Sequence, residues 1–155
     1  MSSSALIIGE ALIDAVVATD GTTSKHPGGS PANVALGLGR LGREVDLLTW
    51  LADDADGDLI RAHLAASGVE VLAGDRRPDH TPVATAHLDA TGAATYVFDL
   101  EWDVPDTYPQ RDEPPVVAHT GSISSMSRAI VMAFSELIRF FSRTLAILRL
   151  FIAPP

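Results

Sequence analysis

The sequence predicts an α/β protein built on a parallel sheet, and three observations carry that prediction. Short apolar runs, Ala5-Leu6-Ile7-Ile8 and Val116-Val117-Ala118, lead into glycines at Gly9 and Gly121, the pattern of buried strands that stop at a sheet's ligand-binding edge. The elements follow one another as strand, hairpin, helix, strand, helix, strand, an alternation that builds a sheet with helices packed on it. The 155 residues are 46% hydrophobic and 20% charged, enough for one domain with a real core.

The first strand is expected over residues 5–9, with Glu10-Ala11-Leu12-Ile13-Asp14 after it. Asp14 stands just past the strand end, where a carboxylate can accept two hydrogen bonds from neighbouring hydroxyls or can simply face solvent. Residues 15–18 and 23–26 read as a hairpin around Thr19-Asp20-Gly21-Thr22. The hairpin feeds into His26-Pro27-Gly28-Gly29-Ser30-Pro31-Ala32-Asn33. There Ser30 is the expected N-cap and Pro31 the first residue of a helix reaching about residue 41, with Gly42 to stop it. Two glycines let the backbone approach a ligand, free N–H groups at the helix start donate, and the Asn33 amide donates and accepts. That set suits a neutral, hydroxyl-rich ligand, and equally a Gly-Gly turn that only caps a helix.

Residues 44–51 read as the next strand, 58–67 as an amphipathic helix closed by Gly68, and 69–72 as another strand. Residues 74–81 are a polar loop, and 83–88 and 94–99 a second hairpin around Asp89-Ala90-Thr91-Gly92. Residues 101–115, with their prolines and acids, read as an exposed connection, and 116–122 as a last strand.

Several functions are excluded. A net charge of −9 argues against nucleic acid as a partner. With no cysteine there is neither a disulfide nor a thiolate metal site. Gly37-Leu38-Gly39-Arg40-Leu41-Gly42 matches G-x-G-x-x-G but ends a helix instead of opening one, so its glycines are assigned to close helix–sheet packing. The acidic run 52–58 lacks the glutamate of a calcium loop, since Ala65 stands in its place counting from Asp54. The five histidines show no metal-ligand spacing with a supporting carboxylate, and Gly121-Ser122 is no nucleophile elbow, so no metal site is expected. The N-terminus lacks a basic n-region and a long apolar run, which leaves a cytoplasmic location as the expectation.

Gly9-Glu10-Ala11-Leu12-Ile13-Asp14, then Gly28-Gly29-x-x-x-Asn33, then Gly42, resemble in order and spacing the ribokinase-like (PfkB) carbohydrate kinases, most of all their fructokinase branch. Ala52-Asp53-Asp54-Ala55-Asp56-Gly57 is similar to the family's Gly-x-Asp-x-x-Gly, with alanine for the first glycine. Ser67-Gly68-Val69, Thr81-Pro82-Val83-Ala84 with Asp89-Ala90-Thr91-Gly92, and His119-Thr120-Gly121-Ser122 follow in family order. The resemblance covers residues 5–124. It implies a three-layer ribokinase-like sheet with a small β lid made of hairpins at about 14–28 and 82–99, and a sugar held between lid and sheet. It implies that Asp14 and Asn33 hydrogen-bond sugar hydroxyls, that Gly28 and Gly29 give close backbone contacts, and that Ala84 and Ala86 line the pocket. It also implies ATP and Mg²⁺ as cofactors, phosphoryl transfer to a sugar hydroxyl, and a homodimer through the lid.

The family's Gly-Ala-Gly-Asp motif, whose aspartate is the catalytic base, has no match: no glycine follows Gly121 and no aspartate follows Asp112. The expectation is therefore a sugar-binding portion, residues 5–124, with no catalytic residue of its own and without the nucleotide-binding half. The alternative is a non-catalytic sugar-binding or dimerising module. Composition changes near residue 127: residues 1–127 hold seven basic and nineteen acidic side chains, and 128–155 four arginines and one glutamate. Three readings of the helical tail 125–155 stand: a further helix on the sheet up to about residue 139, a basic amphipathic helix on a membrane surface, or an aberrant end from a shifted or truncated frame over about residues 142–155, and the first joined to the third is preferred. The arginines and Glu136 interrupt it too often for a membrane span.

Overall fold

The computed structural model describes residues 4–74, 76–103 and 115–121. The expectations for the tail, and most of the proline-rich connection, lie outside these residues.

Two sheets organise the chain. The first has the order β5-β4-β1-β8, from β1 (Ala5–Ile8), β4 (Val45–Leu48), β5 (Val69–Leu72) and β8 (Val117–Thr120), with every pairing parallel. The second has the order β3-β2-β6-β7, from β2 (Leu12–Val17), β3 (Thr23–Gly28), β6 (Val83–Leu88) and β7 (Ala94–Asp99). It consists of two antiparallel hairpins joined by a parallel β2–β6 seam. Both expected hairpins therefore exist, and they form this second sheet, the one that the resemblance reads as a lid.

Strand alternation gives the first sheet its two faces. Ala5, Ile7, Val45, Leu47 and Val69 point to one side, where they meet Ala32, Ala35 and Leu36 of α1 (Ser30–Arg40) and Ile60 and Leu64 of α2 (Ala55–Ala65). Ile13 and Ala15 of the lid extend the same core. Leu6, Ile8, Leu48 and Leu72 point to the other side and gather with Trp102. Both described helices thus lie on one face of the parallel sheet.

The helix boundaries differ from expectation at their starts. Ser30 is already helical, and Gly29 holds the cap position without a side-chain cap bond; its carbonyl accepts from Asn33 N at 2.9 Å. The second helix begins at Ala55 and not at Asp58, because Asp54 caps it by accepting from Gly57 N at 2.7 Å. Of the three glycines assigned to packing, only Gly39 serves it: a Cβ there would lie 2.3 Å from Ser67 O, whereas Gly37 and Gly42 have open space around them. The hairpin ends share one device. Asp20 accepts from Thr22 Oγ1 at 2.7 Å and Asp89 from Thr91 Oγ1 at 2.7 Å, and these bonds hold both carboxyls below their ordinary pKa.

Candidate functional site

The site forms where the chain leaves the parallel sheet for the lid. Gly9 N donates to Leu48 O at 3.1 Å, Ala11 N to Thr49 Oγ1 at 3.1 Å, and Thr49 N to Leu72 O at 3.0 Å. Thr49 and Ala11 are fully buried, so these bonds fix the crossing segment to the ends of β4 and β5. Ile13 N then donates to Pro82 O at 2.9 Å, which sets the start of the β2–β6 seam.

Strand register places the side chains. Asp14 pairs with His26 on one side and with Ala84 on the other, and Ala84 pairs with Phe98. His26, Asp14, Ala84 and Phe98 therefore form one row across the lid sheet, on the face opposite Ile13 and Ala15. A cavity of about 550 Å³ lies beneath this row, against the start of α1. Its polar side chains are Glu10, Asp14, Ser30 and Asn33; Leu12, Val34, Ala84 and Phe98 give the apolar wall, and Gly29 the backbone. A few polar groups on an apolar wall, in a volume within the ordinary range of small-ligand clefts (about 300–1,000 Å³), make this the candidate site.

The two glycines act differently. A Cβ on Gly28 would stand 2.0 Å from Asp14 Oδ2, so the bare backbone gives the carboxylate its place on the lid. Gly29 lies at φ +101°, and a Cβ there would stand 2.6 Å from Glu10 O; α1 starts directly against the crossing segment for that reason.

Of the expected site residues, the structure brings Asp14, Gly29, Asn33 and Ala84 to one cavity, with Gly28 behind Asp14. Asp14 lies within β2 and not in a loop after β1. Ala86 shares the face of Ala84 but does not line the cavity; it is buried opposite Tyr96, one step further along the hairpin. Glu10 and Phe98 were not singled out from the sequence. Phe98 was countable, since the hairpin turn at 89–93 pairs it with Ala84. The value of Glu10 depends on the sharp exit from β1, which no local pattern shows.

A second constellation supports the lid from below. Asp54 accepts from Thr81 Oγ1 at 2.6 Å and from Thr81 N at 2.8 Å while capping α2. Burial raises its pKa, but the hydrogen bonds from Thr81 and Gly57, with the Arg61 guanidinium, outweigh that and hold the carboxyl below its ordinary value. Lys25 of β3 bonds Asp56 at 2.7 Å, an exposed pair that adds at most about 1 kcal/mol.

The donor set does not fit a triphosphate or its metal. The cavity has no lysine or arginine on its wall, and no group of three His, Asp or Glu side chains that could hold a metal exists among the described residues. No helix among them is long and apolar enough to cross a membrane.

Comparison with known proteins agrees with the geometry. A family model described as pfkB family carbohydrate kinase matches residues 2–118. The chain is 37% identical to a fructokinase of Escherichia coli over 99 residues, covering 63% of this chain and 32% of that protein. It is 30% identical to a fructokinase of Klebsiella pneumoniae over 150 residues, covering 90% of this chain and 48% of that protein. The crystal structure of a fructokinase from Xylella fastidiosa superposes with a TM-score of 0.67 at 26% identity, over 89% of this chain and 48% of that one. Another structure of a fructokinase from that organism, with bound ATP, gives 0.55 at 29% identity, over 64% and 34%. The chain spans about a third to a half of the length of these relatives. With the family model matched over most of its residues and the lid, sheet and cavity arranged as described, the chain belongs to the pfkB family of carbohydrate kinases.

Proposed function

We propose that residues 5–124 are the sugar-binding and lid portion of a fructokinase-like carbohydrate kinase. The observation that carries this is the convergence of Asp14, Asn33, Gly29 and Ala84 on one cavity between the lid sheet and the start of α1. Asp14 accepts hydrogen bonds from two adjacent hydroxyls, Asn33 bonds a third, and Ala84 and Phe98 contact the apolar face of the sugar. The lid excludes water, so that in the intact reaction the phosphoryl group of Mg-ATP passes to a sugar hydroxyl and not to solvent. The base and the nucleotide site come from outside this chain, since the cavity offers no cation for phosphate and residues 125–155 contain neither glycine nor aspartate.

The test is a coupled kinase assay on the purified chain with Mg-ATP and fructose, ribose or 2-keto-3-deoxygluconate, beside a thermal melt with each sugar. The expected result is no turnover and a melt raised by about 5–10 °C at a hundredfold excess of one sugar over its Kd. Asp14→Ala removes the rise. Turnover that Asp14→Ala abolishes would show that a base is present in the chain after all.

A second reading, dimerisation through the lid, is favoured by β7. Tyr96, Val97 and Phe98 on it are all more than half exposed, and Tyr96 stacks on Phe98 at 5.9 Å. Among the described residues its outer edge has no strand partner, and such edges pair readily. Sedimentation of the chain against a Val97→Lys variant tests it: the variant is expected to be monomeric where the parent is a dimer.

A further inference from the structure

We propose that Tyr96 is a positioning residue for the candidate site: its ring stacks on Phe98 and holds the Phe98 ring in the one rotamer that faces the cavity. This role rests on the carbohydrate-site reading and adds to it a residue that does not itself line the cavity.

Two neighbouring rows of the second sheet build the arrangement. Asp14, Ala84 and Phe98 lie in one row, and Val16, Ala86 and Tyr96 in the next. Alternation along β7 puts Tyr96 and Phe98 on the same face as Asp14, with Val97 on the other. Two residues along a strand span about 6–7 Å. The ring centroids stand 5.9 Å apart with planes 11° from parallel, so the rings lean together as a stacked pair. The cross-strand neighbours of both rings on β6 are alanines, Ala84 and Ala86, each less than a tenth exposed. Cross-strand Cβ atoms lie about 4.5–5.5 Å apart, and a methyl group at that distance leaves the stack undisturbed where a longer side chain would divide it. Ala86 thus serves the site at one remove, through the ring opposite it.

Of the two rings only Phe98 reaches the cavity. Burial does not fix it, since Phe98 is 62% and Tyr96 59% exposed. An aromatic side chain on a strand has two common χ1 rotamers, and those of Phe98 send the ring to different places. The stack favours the rotamer that keeps the rings parallel. Without Tyr96 the ring divides its time, and the apparent Kd of a ligand that needs one rotamer rises as the reciprocal of the fraction in it. Two or three accessible wells give a loss of about two- to threefold.

The experiment combines NMR of the full chain, labelled at phenylalanine, with calorimetric titration by fructose. It uses the parent, Tyr96→Ala, Tyr96→Phe, Phe98→Ala and the double variant Tyr96→Ala/Phe98→Ala. In the ligand-free parent, Phe98 is expected to show one χ1 rotamer and ring protons shifted by the neighbouring ring. Tyr96→Ala averages the χ1 couplings, and Tyr96→Phe keeps those of the parent. Fructose binds Tyr96→Ala about two- to threefold more weakly and Tyr96→Phe as it binds the parent, while loss of Tyr96 adds nothing once Phe98 is alanine. The thermal midpoint of Tyr96→Ala stays within about 3 °C of the parent's, as for an exposed side chain. A Phe98 ring that averages in the parent, or keeps one rotamer without Tyr96, would overturn the role whether or not a sugar binds. So would a loss in Tyr96→Ala that persists in full without Phe98, or one that appears only where sedimentation shows a changed oligomeric state, which would assign the rings to an interface between copies. If the ring behaves as expected in the ligand-free chain and fructose, ribose and 2-keto-3-deoxygluconate all fail to bind, it is the carbohydrate-site reading that fails, and the role of Tyr96 in binding falls with it.

Discussion

Gly29→Ala is expected to be strongly destabilising, at about 3–5 kcal/mol. Two costs coincide at this position. The φ of +101° is a conformation that side chains with a Cβ rarely adopt, at about 1–2 kcal/mol. The added carbon would also stand 2.6 Å from Glu10 O and 3.1 Å from Ala11 Cα, both backbone atoms of the segment fixed by Thr49 and the end of β4. Neither neighbour is the free end of a flexible side chain, so relief requires α1 to move off the sheet that it covers. The combined cost is about 3–5 kcal/mol, a large share of the about 5–15 kcal/mol that holds a domain together. Gly92→Ala is the control: its φ is +83°, but nothing lies within 4 Å of the added carbon. Urea midpoints for the two variants separate the costs. Gly92→Ala should lose about 1–2 kcal/mol and Gly29→Ala at least twice that. Equal losses would mean that the contact with Glu10 O relaxes without consequence, and that α1 is not tied to the crossing segment.

The same position shows what can be learned from sequence. Strands with strong local signals were legible: the hairpin pair at 83–88 and 94–99 and the strand at 69–72 match β6, β7 and β5 to the residue. Periodicity and turn residues act within a few positions, and those elements depend on little else. What failed were features fixed across the fold. Ser30 has the chemistry of an N-cap, yet the packing of Gly29 on Glu10 starts the helix one residue early. The helix was expected to start only at Asp58 because the acids of 52–58 and Gly57 are poor helix formers, but Asp54 caps it from Ala55 and Thr81 secures the cap from 27 residues away. The parallel seam between β2 and β6 joins segments with two helices and two strands of the other sheet between them, and no hairpin signal announces it. The site was legible in part for the same reason. Asp14, Gly29 and Asn33 stand in motifs, and Ala84 in a hairpin, whereas Glu10 and Phe98 reach the cavity only through register and the exit angle of β1.

Asp54→Ala is expected to loosen the lid and to cost about 2–4 kcal/mol at pH 7, more than a helix cap alone. Loss of a cap accounts for about 1 kcal/mol. The remainder comes from Thr81, which is 1% exposed and gives both its hydroxyl and its amide to Asp54. Once the carboxylate is gone, two buried donors lose a charged acceptor, at about 1–3 kcal/mol. Asp54→Asn tests the division, because its carbonyl can still accept from Gly57 N while its NH₂ opposes Thr81 N, so the cap survives and half of the link to the lid does not. The pH dependence has a definite sign. The folded carboxyl titrates below the unfolded value of about 3.9, so its contribution is complete above that value and disappears as pH falls through the lower folded pKa. The stability gap between parent and Asp54→Ala should therefore be constant from pH 7 to about pH 5 and close below about pH 4. A gap that persisted at pH 2 would assign the loss to packing and not to the carboxylate. Thr81 passes through Pro82 directly into β6, and Pro82 O accepts from Ile13 N at the seam. Amide exchange in β6 and β7 should accordingly rise more in Asp54→Ala than exchange in β1, β4 and β5. If all strands quicken alike, Asp54 supports the whole fold, and the lid has no separate attachment to lose.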